Sequence, residues 1–168
     1  MSLLAEFDVV DEAATPCPLS EQELADTIAY VLEHEGVQVP CALSLTLVDD
    51  ERMAELNAEW RGQERPTDVL SLECERPDEA VGLCELGDII LAPAYVREQA
   101  PQFGNSAADE CRLLTIHATL HLLGYDHIVD EEAQVMERLE DAYLAELSPA
   151  ARGGRLTRHT AADDGADA

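Results

Sequence analysis

Lysine is absent from this 168-residue chain, and the ten basic residues, all arginines, face 36 acidic ones, for a formal net charge of −26. A surface this acidic opposes broad electrostatic binding to nucleic acid, because such binding depends on neutralising phosphates. A bound divalent cation together with Arg61 and Arg65 could still form one positive pocket within the negative surface. The acidity also fits a high-salt cytoplasm, which would screen it, and the missing lysine equally fits a GC-rich genome.

Long apolar runs are missing as well. No stretch approaches the ~20 apolar residues that span a bilayer, and the first residues, MSLLAEFDVVDE, lack the basic and apolar segments of a signal peptide. The five cysteines are an odd number without a CxxC pair, which indicates reduced thiols rather than a disulfide framework. We therefore expect a cytoplasmic protein that does not associate with membranes.

The sequence does contain alternating helix and strand patterns, which predict one domain of class α/β (α+β) over residues 1–147. Ser20 and Glu23 form a capping-box pattern that begins a helix, and Gly36 ends it. Alternating leucines over 43–48 predict a half-buried strand. Further strands are predicted at 5–10, 68–72 and 86–91, and further helices through Met53 and Leu56, from Pro93, over 107–123 and from Asp130. We expect a mixed, mostly parallel sheet of about four strands covered by helices.

Residues 148–168 differ from the rest. They lack apolar periodicity and are rich in alanine, glycine, aspartate and threonine, which predicts a disordered acidic C-terminal tail. Arg152, Arg155 and Arg158 form a small basic cluster there, which either contacts RNA or is simply solvated.

Three of the five histidines fall within the run HATLHLLGYDH. His117 and His121 lie one helical turn apart on one face, and Gly124 can end the helix in a left-handed conformation, so that the chain brings His127 to the same point. A single histidine on an apolar helix is usually a core residue, but this combination predicts a metal site on a helix and the following loop. Three imidazoles suit zinc, and the open fourth position marks a catalytic site.

The spacing HxxxHxxGxxH is that of the metzincin peptidases, but Ala118 stands where those enzymes carry their catalytic glutamate. The run instead resembles HGxLHLxGYDH, the signature of the YbeY family of bacterial metal-dependent endoribonucleases. Ala118 replaces the glycine that is usual in that family. The matching positions are His117, Leu120, His121, Leu122, Gly124, Tyr125, Asp126 and His127.

Two further motifs extend the resemblance from about residue 43 to about residue 147. Leu56-Asn57, Trp60-Arg61-Gly62 and residues 66–71 resemble the family's LN…YRG…PTDVLSFP segment. Residues 87–91 resemble its GDI strand. The three motifs occur in the expected order.

The resemblance implies one zinc ion per chain, bound by His117, His121 and His127, with a zinc-bound water as the nucleophile. Arg61 would grip a phosphate with its planar guanidinium, although it could equally be an exposed arginine at a helix end. Asp68 and Ser71 are expected near the cleft, with Asp68 alternatively a turn residue. Asp126 is expected to hold the loop or a ligand imidazole.

The implied function is that of a single-strand-specific, metal-dependent endoribonuclease in ribosomal RNA maturation (3′ end processing of small-subunit rRNA) and ribosome quality control. The expected partners are single-stranded RNA, ribosomal RNA and small-subunit ribosomal proteins, and not DNA. No RNA-binding module or aromatic stacking platform is evident. One alternative is a ribosome-assembly factor with a structural zinc, whose acidic surface would suit basic ribosomal proteins. A zinc metallopeptidase is a third reading, weakened by Ala118.

Overall fold

The computed structural model of the chain describes residues 3–75, 82–125, 129–151 and 154. Its elements, in chain order, are β1 (Leu4–Asp11), α1 (Glu21–His34), β2 (Cys41–Leu47), α2 (Asp50–Arg61), β3 (Val69–Glu73), β4 (Cys84–Leu91), α3 (Pro93–Gln99), α4 (Ala107–Leu122) and α5 (Asp130–Leu147). A short 3₁₀ helix, Ala100–Phe103, joins α3 to α4. The predicted α+β class and single domain are confirmed, and β4 begins somewhat earlier than the sequence pattern indicated.

The four strands form one mixed sheet in the order β1-β2-β4-β3. β1 with β2 and β2 with β4 are parallel pairs, whereas β3 runs antiparallel to β4 at the edge. Gly87 makes this edge pairing possible: its φ is +137°, and a Cβ built on it would lie 2.0 Å from the carbonyl oxygen of Leu72. The glycine of the third motif is therefore required by the close approach of β3.

The largest hydrophobic cluster lies between the sheet, α1 and α4. Leu45, Ile89 and Leu114 are fully buried there, and so is Ala118, the residue next to His117. Burying each large aliphatic side chain contributes about 1.5–3 kcal/mol. Because α4 is buried over most of its length, its histidines are held on a rigid element.

Side-chain hydrogen bonds cap the starts of α1 and α4, and the first of them is the predicted capping box. The Ser20 hydroxyl accepts from the Glu23 amide at 3.1 Å, and the Glu23 carboxylate accepts from the Ser20 amide at 3.0 Å, forming the predicted capping box. At α4 the Ser106 hydroxyl accepts from the Asp109 amide at 3.1 Å. Each such cap typically stabilises a helix by about 1 kcal/mol.

Two predictions on the C-terminal part stay untested. Arg152, Arg155 and Arg158 lie outside the described residues, as does nearly all of the predicted tail.

Among the helices that the structure describes, none is both long enough and apolar enough to cross a bilayer.

Candidate active site

A cleft of about 710 Å³ opens between α4, the end of α2 and the segment that leads into β3. Its lining residues are Asn57, Arg61, Gln63, Arg65, Pro66, Thr67, Asp68, Val69, Leu70, Ser71, Tyr95, Leu114, His117 and His121. Residues far apart in the sequence, from α2, β3 and α4, thus meet in one cavity. Five of the predicted site residues are among them, whereas Asp126 and His127 lie outside the described residues.

The two histidines of α4 face the cleft together. Their ring centroids lie 6.3 Å apart, and the ring planes differ by 12°. This arrangement follows from their separation by four residues, which places both side chains on one helix face. The predicted pairing of His117 with His121 is confirmed as geometry.

His117 has a carboxylate partner that the sequence did not reveal. Its Nδ1 lies 3.1 and 3.3 Å from the two carboxylate oxygens of Glu140, which is fully buried on α5. A ring nitrogen that donates to a carboxylate fixes the tautomer, which leaves Nε2 of His117 as the nitrogen with a lone pair that could bind a metal. One feature of the sequence could have indicated that Glu140 is buried: Met136, Glu140 and Leu144 recur every four residues, on what is the buried face of α5.

The end of α4 turns the chain immediately after these histidines. Gly124 has a φ of +110°, its N–H donates to the carbonyl of His121 at 3.0 Å, and the N–H of Tyr125 donates to that of Leu120 at 3.1 Å. These two bonds form a Schellman motif, which favours glycine at the left-handed position. The predicted helix end at Gly124 is confirmed.

The donor set fits a zinc ion as far as the structure describes it. Two imidazoles on successive turns, one oriented by a buried carboxylate, are the arrangement typical of histidine ligands. Within residues 3–75, 82–125 and 129–151, no three His, Cys, Asp or Glu side chains come together as a complete metal site. The third predicted ligand, His127, falls in the gap between those ranges.

Tyr125, the last described residue before that gap, is held by Glu35, the C-cap residue of α1. Its hydroxyl donates to Glu35 at 2.6 Å, and the hydroxyl of Tyr143 donates to the other oxygen of the same carboxylate. Burial and then the bond to Glu35 raise the pKa of Tyr125 to about 12. The same two causes raise the pKa of Tyr143. Both phenols therefore stay protonated near neutral pH, as donors to Glu35.

Arg61, the last residue of α2, reaches across to β3. Its Nη2 donates to the carbonyl of Ser71 at 2.9 Å, and its Nη1 makes a longer bond of 3.4 Å to the carbonyl of Trp60. The side chain is exposed, but the bond to Ser71 fixes it at the cleft beside His121. Arg61 is thus an exposed arginine at the end of α2, as one prediction had it, whose guanidinium is held at the cleft by the Ser71 carbonyl.

The segment between α2 and β3 is fixed by the LN and WRG motifs. Gly62 takes a left-handed conformation, with φ of +72°, and ends α2. The buried Asn57 amide donates to the carbonyl of Arg65 at 2.8 Å, which holds the segment against the helix. The Arg65 Nε donates to the side-chain oxygen of Gln63 at 2.9 Å. These contacts explain why asparagine and glycine stand at those positions.

Asp68 is held through both carboxylate oxygens. Oδ1 accepts from the Val69 amide at 2.7 Å, and Oδ2 accepts from the Gln99 side chain at 2.8 Å. The same Gln99 amide donates to the buried Glu110 of α4 at 2.8 Å, and Asn105 donates to the other oxygen of Glu110 at 3.2 Å. Asp68 therefore combines the expected turn role with a place in the cleft wall. The sequence did not indicate the roles of Gln99 and Glu110.

The charge of the cleft differs from that of the rest of the surface. Arg61 and Arg65 bond to neutral oxygens, whereas Arg52 pairs with Glu55, and Arg112 with two carboxylates. Two guanidinium groups therefore face the cleft without a carboxylate at ion-pair distance among the described residues. The lining of the cleft thus holds two guanidinium groups and one carboxylate, that of Asp68, so a phosphate group would meet an excess of cations there despite the net charge of −26.

Comparison with known proteins agrees with this geometry. The profile of the family described as endoribonuclease YbeY matches residues 10–148. An endoribonuclease YbeY of Bacillus velezensis is 41% identical, over 81% of this chain and 90% of the relative. One of Desulfitobacterium hafniense is 44% identical, over 77% and 83%. A solution structure of a Thermotoga maritima protein superposes with a TM-score of 0.59 at 28% identity, covering 95% of this chain and 97% of the other. The chain belongs to the endoribonuclease YbeY family.

Proposed function

We propose that this protein is a zinc-dependent endoribonuclease that cleaves single-stranded RNA. Membership of the endoribonuclease YbeY family supports the reaction class. The observation that carries the proposal is that His117, His121 and Arg61 line one cleft, so that metal-binding and phosphate-binding groups lie side by side.

The biological setting follows from the family. The proposed substrate is ribosomal RNA, cleaved in the cytoplasm during maturation of the 3′ end of small-subunit rRNA and in ribosome quality control. Small-subunit ribosomal proteins are the proposed protein partners, since their basic surfaces complement a chain of net charge −26.

Hydrolysis of a phosphodiester requires a water oxygen to attack phosphorus, while the bond to the leaving oxygen breaks and that oxygen takes a proton. His117 and His121, with His127 as third ligand, would hold a zinc ion, which supplies an activated water and polarises a phosphoryl oxygen. Glu140 orients His117 from behind. Arg61, fixed by Ser71, donates to the phosphoryl oxygens as negative charge develops on them.

A single strand suits this cleft better than a duplex. Duplex binding relies on many cations that follow two backbones, and the cleft wall offers Arg61 and Arg65. A flexible RNA strand can place one phosphate between these arginines and the metal, while the rest of the RNA stays away from the acidic surface of the protein. Ala118, fully buried in the core, leaves no general base of the metzincin kind at that position.

The decisive experiment compares RNA cleavage by zinc-loaded wild type and His121→Ala. We expect the variant to keep its circular dichroism spectrum and lose cleavage. His34→Ala is the matched control, because His34 lies on α1, where its ring stacks on Tyr30. That control should cleave like wild type.

A binding assay with small-subunit ribosomal proteins, run beside the cleavage assay, tests the ribosome-assembly alternative, which the strongly acidic surface favours. If zinc-loaded wild type binds small-subunit ribosomal proteins but cleaves no RNA, the chain is a binding factor with a structural metal. If His121→Ala cleaves as fast as wild type, the cleft is not the active site.

A further inference from the structure

Trp60 is the one tryptophan of the chain, and it lies at the penultimate position of α2 with 51% of its surface exposed. Aromatic residues make up 4% of the sequence. An exposed indole presents a large rigid apolar face at a small entropic cost. Exposure alone does not define a site, and what matters is where this side chain lies.

A second cavity, of about 280 Å³, adjoins the cleft at this point. Its lining residues are Trp60, Arg61, Ser71, Leu72, Glu73 and His121. Three of these, Arg61, Ser71 and His121, also line the main cleft, so the two cavities are adjacent. Trp60 and Leu72 give the smaller cavity an apolar wall directly beside the proposed phosphate-binding arginine.

We propose that Trp60 stacks on the nucleobase next to the phosphate held by Arg61, and that the smaller cavity is a base-binding subsite for single-stranded RNA. This inference rests on the proposed function and extends it. In a single-stranded RNA each phosphate is flanked by bases that are free to leave the strand and stack on an aromatic side chain. Trp60 and Arg61 both line the smaller cavity, so one nucleotide could place its base on the indole and its phosphate at the guanidinium.

Because the net charge is −26, a stacking subsite would be an important source of affinity for RNA. Most RNA-binding surfaces gain affinity from many cations, and here the long-range field is repulsive. Stacking does not depend on net charge and accepts every base, because each has a π-face. Trp60 therefore supplies the aromatic platform that the sequence did not make evident.

The first measurement uses the fluorescence of zinc-loaded full-length wild type, where Trp60 is the sole indole emitter. A short single-stranded RNA should quench this emission at the concentrations at which a labelled copy of that RNA binds. The same RNA with one abasic ribose beside the cleaved bond should quench less.

The second measurement compares the cleavage kinetics of variants. Trp60→Ala should raise KM roughly tenfold with little change in kcat, and Trp60→Phe should stay near wild type because it keeps a stacking ring. In Trp60→Ala the abasic RNA should lose no further affinity, since the two changes remove one contact. Val135→Ala, which removes another exposed apolar side chain, from α5, is the control.

The outcomes separate the inference from the proposed function. Wild type that cleaves RNA, with unchanged Trp60 emission and a Trp60→Ala KM equal to that of Val135→Ala, overturns the base-binding subsite alone. Wild type that quenches with RNA but cleaves none keeps the subsite and removes the nuclease. Absence of both quenching and cleavage overturns both.

Discussion

Glu140 is expected to set the zinc affinity of the protein through His117. Its carboxylate is fully buried on α5 and lies 3.1 Å from the Nδ1 of His117. Replacing such a partner of a ligand histidine typically weakens metal binding roughly 10- to 100-fold, or about 1.4–2.7 kcal/mol. We expect Glu140→Gln near the lower end, because its amide oxygen can still accept from Nδ1. Glu140→Ala should lie near the upper end, because it leaves Nδ1 facing a cavity.

The assay is a competitive titration of zinc between the protein and a chromophoric chelator, which needs no activity measurement. Glu146→Gln, at an exposed position of the same helix, removes the same charge and should bind zinc like wild type. Thermal unfolding in excess chelator should separate affinity from stability, with Glu140→Gln unfolding close to wild type. An unchanged zinc affinity in both Glu140 variants would refute the assignment of Glu140 as the orienting group.

Three further results are expected. Arg61→Ala should lower kcat/KM by the factor that corresponds to a loss of about 2–4 kcal/mol of transition-state stabilisation, and it should leave the zinc content unchanged. Arg52→Ala, on the same helix, should leave kcat/KM unchanged. Initial cleavage rates at saturating zinc should rise or stay flat with moderate monovalent salt, because salt screens repulsion by the −26 charge, and a steep fall would contradict this. The hydrogen bond from Cys111 lowers the pKa of Cys17 to about 7, so the thiolate forms as the pH rises through 7, and iodoacetamide alkylation of Cys17 should accelerate there. Cys111→Ala, which removes the donor, should move this rise to higher pH, and an unchanged profile would contradict this cause.

Local sequence rules predicted the frame of the fold well. The capping box at Ser20 and Glu23, the alternating leucines of β2 and the left-handed Gly124 depend on neighbours within a few residues, and the structure confirms each. The pairing of His117 with His121 depends only on helical spacing, and it is confirmed for the same reason.

Contacts between distant segments were not accessible in this way. The partner of His117 lies 23 residues further along the chain, and helical periodicity shows that Glu140 is buried without showing what it meets. The bridge from Asp68 through Gln99 to Glu110 joins three elements whose packing the sequence pattern does not encode. The motif resemblance included Asn57, but its hydrogen bond to the Arg65 carbonyl is visible only in the folded structure.

The Glu35 carboxylate, which accepts from Tyr125 and Tyr143 together, bears on how the proposed zinc ion would be loaded and released. Tyr125 is anchored at one end of the link that contains His127, and α5 begins at Asp130, at the other end. Glu35 thus ties Tyr125, next to the end of α4, to α5 through Tyr143, so the described parts that flank the predicted ligand His127 are already joined in the fold. We therefore expect loading and release of zinc to be a local event in an already folded protein, rather than one coupled to global refolding.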